Sequence, residues 1–179
     1  MKKIKVKITG ETPLLMNSPK AMIEESSGLT KKTQKQDMEK EAKKLAYTKK
    51  SGELYIPSSA IKGSMVGASA YKKAGKFALR PLVAGGCHIL PNEVGLNTTS
   101  YKLDIRTVVI QRNRVVKARP RVENWKAEFE ISYDETLIAN PEILREVLED
   151  AGRRVGLLDF RPAKLGSFGM FTVTEWKEV

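Results

Sequence analysis

A strictly alternating segment at residues 125–133 constrains the fold of this chain more than any other feature. Its apolar side chains stand at every second position, Trp125, Ala127, Phe129, Ile131 and Tyr133, with polar or charged residues between them. A period of two is the pattern of a β-strand that buries one face. The same alternation, with lysines as the polar partners, opens the chain at residues 3–8 and predicts a half-buried first strand that ends at Gly10.

Two helices are predicted between strands. Asn140 is a favourable N-cap, Pro141 a favourable first residue and Gly152 a favourable end for an amphipathic helix, which a last strand follows at residues 171–176. The earlier helix, rich in small residues, is predicted to run from about residue 60 to residue 74. Its cap would be Ser58 or Ser59 and its end Gly75.

The resulting order is strand, insertion, strand, helix, hairpins, strand, helix, strand. This order predicts an α+β fold, a ferredoxin-like (RRM-like) antiparallel sheet with helices on one face and inserted extensions. We expect a single domain over residues 1–179, with a lysine-rich insertion at about 20–52 and an arginine-rich hairpin at about 105–121. Within the insertion, residues 31–50 are either a helix with a thin apolar stripe of Met38, Ala42, Leu45 and Ala46 or a mobile, solvated flap, and the flap is the simpler interpretation. Residues 76–101 are expected to form small strands and loops. The sheet face opposite the helices would be free to bind single-stranded nucleic acid.

Charge narrows the class of partner. The formal net charge is +11 over 179 residues, which favours a polyanion, and ribosomal, nucleic-acid-binding and membrane-surface proteins all fit it. The single cysteine, Cys87, excludes an internal disulfide and favours a reducing compartment. The chain opens without a signal-peptide pattern and has no segment long enough to span a bilayer, so we expect a soluble cytoplasmic protein with no membrane partner.

The arginine-rich hairpin is the strongest candidate for a polyanion contact. Between residues 105 and 122 there is no acid, and the basic residues are Arg106, Arg112, Arg114, Lys117, Arg119 and Arg121. Arginine pairs with phosphate through two parallel hydrogen bonds and stacks on bases, which a lysine does less well. A charge run of this kind is also common on ordinary solvated surfaces.

A glycine loop near the end of the chain is the second candidate. Gly166 and Gly169 flank Ser167 and Phe168, where the backbone could approach a phosphate closely or simply make a tight connection. Basic residues precede and join this loop: Arg153, Arg154, Arg161 and Lys164. Lys62, at the start of the helix rich in small residues, marks a third anion site.

Catalytic chemistry has little support in the sequence. The one histidine, His88, adjoins the one cysteine, which is neither a metal-ligand spacing nor part of a catalytic triad. We therefore expect no catalytic residue, metal or cofactor, and we interpret Asp159, beside the glycine loop, as the partner of a nearby arginine.

Three features resemble the RAMP superfamily, the ferredoxin-like RNA-binding proteins that include backbone subunits of CRISPR effector complexes. The first strand runs into Thr12-Pro13-Leu14, residues 55–63 read YIPSSAIKG, and a glycine-rich loop precedes the final strand. The resemblance implies RNA binding. Cleaving members are expected to carry an aspartate or a histidine near the loop after the first strand, where this chain has only Glu11, so the resemblance implies binding rather than cleavage.

The hypothesis with most support is a non-catalytic protein that binds single-stranded RNA. Single-stranded DNA is the alternative ligand. Copies of itself or other effector subunits would be its protein partners, and it would assemble along the strand. Two alternatives stay open. One is a metal-independent endoribonuclease that uses basic and tyrosine side chains, and the other is a structural nucleoprotein of the ribosomal or coat type.

Overall fold

A computed structural model describes residues 1–19, 35–110 and 112–179, which contain four α-helices and eleven β-strands. The helices are α1 (Lys35–Leu45), α2 (Ser58–Ala68), α3 (Leu79–Gly86) and α4 (Glu142–Asp150). The strands are β1 (Lys2–Gly10), β2 (Leu14–Leu15), β3 (Tyr55–Pro57), β4 (Lys73–Ala74), β5 (Phe77–Ala78), β6 (Cys87–Leu90), β7 (Glu93–Gly95), β8 (Lys102–Ile110), β9 (Asn113–Val122), β10 (Lys126–Tyr133) and β11 (Phe171–Glu178). The part of the predicted insertion at residues 20–34 lies outside the described residues.

The central sheet has four strands in the order β11–β1–β10–β6, and each neighbouring pair is antiparallel. With α2 between β1 and β6, and α4 between β10 and β11, this is the split βαβ arrangement of the ferredoxin-like fold. The predicted fold class is therefore confirmed. The two alternating segments pair directly, because Ile4 lies opposite Ile131 and Val6 opposite Phe129.

The core lies between one face of this sheet and the helices. Ile4, Ile8 and Ile131 of the sheet and Leu144 and Leu148 of α4 are completely buried. The helix α4 has its predicted polar start, since the side-chain oxygen of Asn140 accepts the backbone N–H of Glu142 at 3.0 Å. None of the four helices in the described part of the chain has both the length and the apolar character needed to cross a bilayer.

Gly152 does not end the last helix, contrary to the prediction. The chain continues through one π-helical turn, Ala151–Val155, and the helix stops at Gly156, whose φ is 73°. Gly152 is instead required for packing, because a Cβ at this position would overlap the backbone carbonyl of Phe171 in β11. The glycine therefore permits close contact between helix and sheet.

The helix α2 also ends earlier than predicted. It stops at Ala68, a short 3-10 turn follows, and residues 73–78 form a hairpin of β4 and β5. Gly75 makes the turn of this hairpin with a φ of 61° rather than ending a helix, and neither Ser58 nor Ser59 caps α2, because its N-cap is Pro57 without a side-chain hydrogen bond.

The segment at 76–101, predicted as strands and loops, also contains α3. Pro81 stands in the first turn of that helix, where a missing N–H is tolerated. Because Gly85 and Gly86 stand in its last turn, the sequence pattern pointed away from a helix.

The described part of the insertion contains a packed helix, so the helical interpretation holds there and the solvated flap does not. Ala42 and Leu45 of α1 and the following Ala46 are buried. The Glu41 carboxylate accepts the backbone N–H of Ala118 in β9 at 3.3 Å. The helix α1 therefore packs against the arginine-rich hairpin.

We predict that Gly152→Ala destabilises the protein. The new methyl group has to displace the backbone of β11, and overpacking of this kind costs about 1–3 kcal/mol of unfolding free energy. Gly85→Ala is the matched control, because a Cβ there meets nothing within 4 Å. It should leave stability unchanged or raise it by up to about 1 kcal/mol. Urea unfolding followed by circular dichroism compares the two, and equal stabilities would contradict the packing role of Gly152.

Candidate nucleic-acid interface

The predicted arginine-rich hairpin is present and is formed by β8 and β9. Lys102 lies opposite Arg121, Asp104 opposite Arg119 and Arg106 opposite Lys117, so these side chains share one face of the ribbon. At its base β9 also pairs with β2, the short strand after β1. The hairpin is thus longer than predicted and is anchored to the loop that follows the first strand.

Arg119 is the centre of a buried ionic network at the base of the hairpin. Its side chain is buried, with 5% of the residue surface exposed. Its Nη1 donates to Asp159 Oδ2 at 2.6 Å, and its Nη2 lies 3.9 Å from Asp104 Oδ1. This arginine links the hairpin to the segment before the glycine loop. Its guanidinium contacts protein carboxylates rather than solvent, and Asp159 is the arginine partner that the sequence indicated.

Arg106 and two phenylalanines form a cluster beside this network. The Arg106 guanidinium carbon lies 4.8 Å from the ring centre of Phe168 and 5.7 Å from that of Phe160. Its Nε donates to Asp104 Oδ2 at 3.0 Å. Arg121 lies 5.9 Å from the Phe168 ring. We call Arg106, Arg121, Phe160 and Phe168 the arginine–phenylalanine cluster.

The cluster is rigid but open to solvent. The Arg106 side chain is 41% exposed although a carboxylate and two rings hold it. A guanidinium carries five N–H donors, and within the part of the chain that the structure describes only the Arg106 Nε–H has a hydrogen-bond partner, which leaves the others for a ligand or water. Phe160 is 36% exposed, which leaves a ring surface for stacking. An exposed guanidinium beside an aromatic ring suits an unpaired base and its phosphate.

The segment from Gly156 to Gly169 has an unusual backbone. Three non-glycine residues, Leu158, Phe160 and Leu165, have positive φ values of 58°, 47° and 60°. Such conformations are uncommon, persist only where surrounding contacts hold them, and concentrate at functional sites. Backbone hydrogen bonds supply those contacts, from Asp159 N–H to Leu15 O at 3.0 Å and from Phe168 N–H to Phe160 O at 3.1 Å.

The two glycines of this loop are fully accounted for by packing. Gly169 has a φ of 70°, and a Cβ there would overlap the carbonyl oxygen of Leu157. A Cβ on Gly166 would overlap the carbonyl oxygen of Phe160. Gly169 is also buried, so the interpretation as a tight connection explains it without a bound phosphate. The contribution of this segment to a binding surface comes through Phe160, because Phe168 is buried and supports Arg106 from the protein side.

A cleft of about 380 Å³ adjoins this segment. The start of α2 forms one wall through Ser59 and Ala60, and Asp159 and Arg161 line it from the loop. The backbone N–H groups of Ser59 and Ala60 lie in the first turn of a helix that has no side-chain cap, and Arg161 adds a positive charge. The cleft therefore suits an anionic group near the cluster.

Two polar side chains complete the cleft. Tyr47 lines it, and burial raises the pKa of the Tyr47 phenol, so the neutral hydroxyl is a hydrogen-bond donor at ordinary pH. Asn17 also lines it, and its side-chain oxygen accepts a hydrogen bond from Lys117 Nζ at 3.1 Å. Lys117 of the hairpin is thereby placed beside the cleft.

The remaining predicted residues lie elsewhere. Arg112 and Arg114 are exposed at the hairpin tip, as expected, and Lys164 and Ser167 are exposed in the glycine loop. Arg153 and Arg154 lie 3.6 Å and 3.8 Å from Glu149 and Asp150 of α4, so acids already face this pair. Lys62 lies on the second turn of α2 and is not part of the cleft lining.

The open face of the central sheet carries charges of both signs. Lys7 of β1 lies 2.7 Å from Glu128 and 3.6 Å from Glu175, and Lys3 lies 3.2 Å from Glu130. A wide groove of about 710 Å³ runs over these pairs. Because its lysines are matched by glutamates, this face attracts a polyanion less than the hairpin does.

The described residues contain neither a cluster that could bind a metal ion nor a reactive thiol. Within residues 1–19, 35–110 and 112–179 no three His, Cys, Asp or Glu side chains are grouped to hold a metal ion. Burial raises the pKa of the Cys87 thiol to about 12, which makes this cysteine unreactive at neutral pH. His88 is exposed on β6, opposite Ser132 of β10.

Several residues of this interface were missed by the sequence analysis. Asp104 stands immediately before the arginine run, and its position opposite Arg119 follows only from the hairpin register. Phe160, two residues after Leu158, gave no pattern, since its role depends on a left-handed backbone. Asn17 and Tyr47 lie 30 residues apart in the chain. No local signal could have placed these side chains together.

A solved structure with a similar fold comes from a CRISPR complex. No protein-family model matches the sequence, and no curated protein sequence matches it. A chain in the structure of the type III-B Cmr-β complex bound to cognate target RNA matches with a TM-score of 0.61 and 14% identity, over 99% of this chain. A chain of a CRISPR RNA-guided surveillance complex matches with a TM-score of 0.39 and 10% identity, over 96% of this chain and 66% of that one. The first likeness shows a shared, CRISPR effector-like fold. This chain spans 60% of the length of that Cmr-β chain.

We predict that Arg119→Ala destabilises the protein strongly. It leaves the buried Asp104 and the half-buried Asp159 without their shared partner, and breaking a buried pair costs about 3–5 kcal/mol. Arg114→Ala, at the exposed end of the same strand, is the control and should change stability by less than about 0.5 kcal/mol. Thermal and urea unfolding measure both. If the two variants were equally stable, the network would not hold the hairpin to the loop.

Proposed function

We propose that this chain is a non-catalytic, single-stranded RNA-binding protein of the RAMP type. The observation that carries the proposal is the arginine–phenylalanine cluster beside the cleft at the start of α2. The cluster offers a ring surface and guanidinium donors for bases, and the cleft offers backbone N–H groups and Arg161 for a phosphate. Single-strand binding proteins use this combination of stacking surface and positive groove.

The shared fold supports RNA rather than DNA as the nucleic acid that this chain binds. The similar Cmr-β chain comes from a complex bound to cognate target RNA, and its likeness extends over 99% of this chain. The ferredoxin-like fold by itself hosts many functions, so this support is an analogy added to the chemistry of the cluster.

The protein partners proposed here are further subunits. Because the similar chain belongs to a multi-subunit complex, we propose that this chain assembles with copies of itself or with other effector subunits along one RNA strand. In this proposal residues 1–179 form one RAMP-like domain, from which the hairpin of β8 and β9 extends. The exposed Arg112 and Arg114 at its tip would contact RNA beyond the cluster, together with Lys117 and Lys164 at the cleft and loop.

We predict tighter binding to single strands than to duplexes, because unpaired bases are needed for stacking. Each phosphate contact adds about −0.7 to the slope of log affinity against log salt for a single strand. With roughly three to five contacts, affinity should fall roughly tenfold to a hundredfold between about 50 and about 200 mM salt. A gel-shift series with labelled RNA and DNA, single-stranded and duplex, measures this and also shows any cleavage. Salt-insensitive binding or no binding would refute the proposal, and cleaved RNA would favour the endoribonuclease.

We predict that Arg106→Ala lowers RNA affinity by about tenfold or more, because the cation beside the rings is lost. Arg145→Ala is the matched control. The Arg145 side chain on α4 is 44% exposed, and its replacement removes the same charge as Arg106→Ala does. The double change Arg112→Ala with Arg114→Ala should also weaken binding, with an unchanged melting temperature. Titration by fluorescence anisotropy compares them. Equal losses for Arg106→Ala and Arg145→Ala would mean that net charge alone drives binding.

A further inference from the structure

A short hairpin after α2 presents an aromatic ring to solvent. In this hairpin Lys73 pairs with Ala78 and Ala74 with Phe77, and Gly75 makes the turn with a φ of 61°. The Leu79 N–H closes the base by donating to the Lys72 carbonyl at 3.0 Å. Phe77 is 71% exposed, about twice as much as Phe160. The backbone therefore holds this ring away from the core.

Positive charge lies next to the ring in the chain. Lys76 and Arg80, which flank Phe77 in sequence, and Lys73 are exposed, and none of them pairs with an acid among the described residues. Lys73 lies opposite Ala78, one position from the Ala74–Phe77 pair, so its side chain is on the other face of the hairpin from the ring. Asp150 and Glu146 of α4 approach the base of the hairpin, where both face Lys72. No aspartate or glutamate occurs from residue 54 to residue 92, so the hairpin itself carries only positive charge.

The chemistry of this surface favours a nucleic-acid strand over an apolar protein partner. A single exposed apolar side chain is ordinary on protein surfaces, and by itself it needs no partner. Cores of protein–protein interfaces are depleted of lysine, whereas Lys76 adjoins this ring in the chain and Arg80 follows three residues later, both unpaired among the described residues. An aromatic ring with cations on its flanks is the arrangement on which a base stacks while its phosphates are neutralised.

We propose that residues 73–80 form a second contact for single-stranded RNA, separate from the arginine–phenylalanine cluster. One base stacks on Phe77, and flanking phosphates pair with Lys76 and Arg80. The inference rests on the proposed function. Ser59 and Ala60 at one end of α2 line the cleft, and the hairpin follows the other end of this 11-residue helix, about 16 Å away. A strand that reaches both contacts therefore binds more tightly than one confined to the cleft.

The test is an affinity series with uridine oligonucleotides of about 20 nucleotides. Phe77→Ala should lower affinity roughly 5- to 150-fold, which is the range for one stacked base. Leu137→Ala is the control, because it removes an exposed apolar side chain in an acidic turn, and it should leave affinity unchanged. Lys76→Ala with Arg80→Ala should reduce the salt slope by about 1.4, from two lost phosphate contacts.

Phe77→Trp gives a direct signal at the same position. It should retain affinity, and its fluorescence should fall as the oligonucleotide stacks on it, relative to a wild-type titration. Unchanged fluorescence at saturation, or equal affinities of wild type and Phe77→Ala, would overturn the second contact. So would a Phe77→Ala variant with normal affinity but altered sedimentation, which would mark a protein interface. Failure of the proposed function looks different, because then the wild-type chain itself would not bind the oligonucleotide.

Discussion

A guanidinium removed from water has to be paired, and at Arg119 this requirement joins three parts of the chain. The side chain comes from β9, one carboxylate from β8 and the other from Asp159 before the glycine loop. An unpaired charge at this depth would cost several kcal/mol, so the hairpin and the loop are fixed relative to each other. Asp159 in turn donates its backbone N–H to the carbonyl oxygen of Leu15, in the strand β2 that pairs with β9. The network thus positions the surface that we propose for RNA.

The rigidity of this surface matters for binding. Phe160 and Phe168 are held in a segment whose positive φ values are fixed by backbone hydrogen bonds, and Arg106 is held by Asp104 and both rings. Groups that are already ordered lose less conformational entropy when a ligand binds. Arg112 and Arg114 at the hairpin tip lack such contacts among the described residues, because the tip extends from the base as an exposed ribbon. We therefore assign most of the binding free energy to the cluster and the cleft.

The sequence predicted the central sheet well, because a half-buried strand leaves a period of two. The segments around Ile4 and Phe129 are neighbours in the structure, as their patterns indicated. Helix ends were less predictable. Gly75 and Gly152 looked like stop signals, but one makes a hairpin turn and the other permits contact with Phe171. Both outcomes depend on tertiary contacts, which a local pattern does not contain.

The site was predicted in part. The hairpin of β8 and β9 was expected, and Asp159 was correctly interpreted as the partner of an arginine. The binding roles of the predicted residues stay predictions. That Arg119 is the partner, and is buried, could not be predicted, because the two residues are 40 positions apart. The packing role of Gly166 and Gly169 was also hidden, since it depends on the carbonyls of Phe160 and Leu157. Phe77 gave no signal because one exposed aromatic residue forms no pattern.

The most direct test of the central claim is photochemical cross-linking of the wild-type chain to single-stranded RNA, followed by mass spectrometry of the linked peptides. Our account predicts that the linked residues concentrate at the exposed Phe160 and the base of the β8–β9 hairpin around Arg106. Cross-links confined to the open face of the central sheet, along β1, β10 and β11, would contradict it, because the strand would then lie on the charge-balanced face.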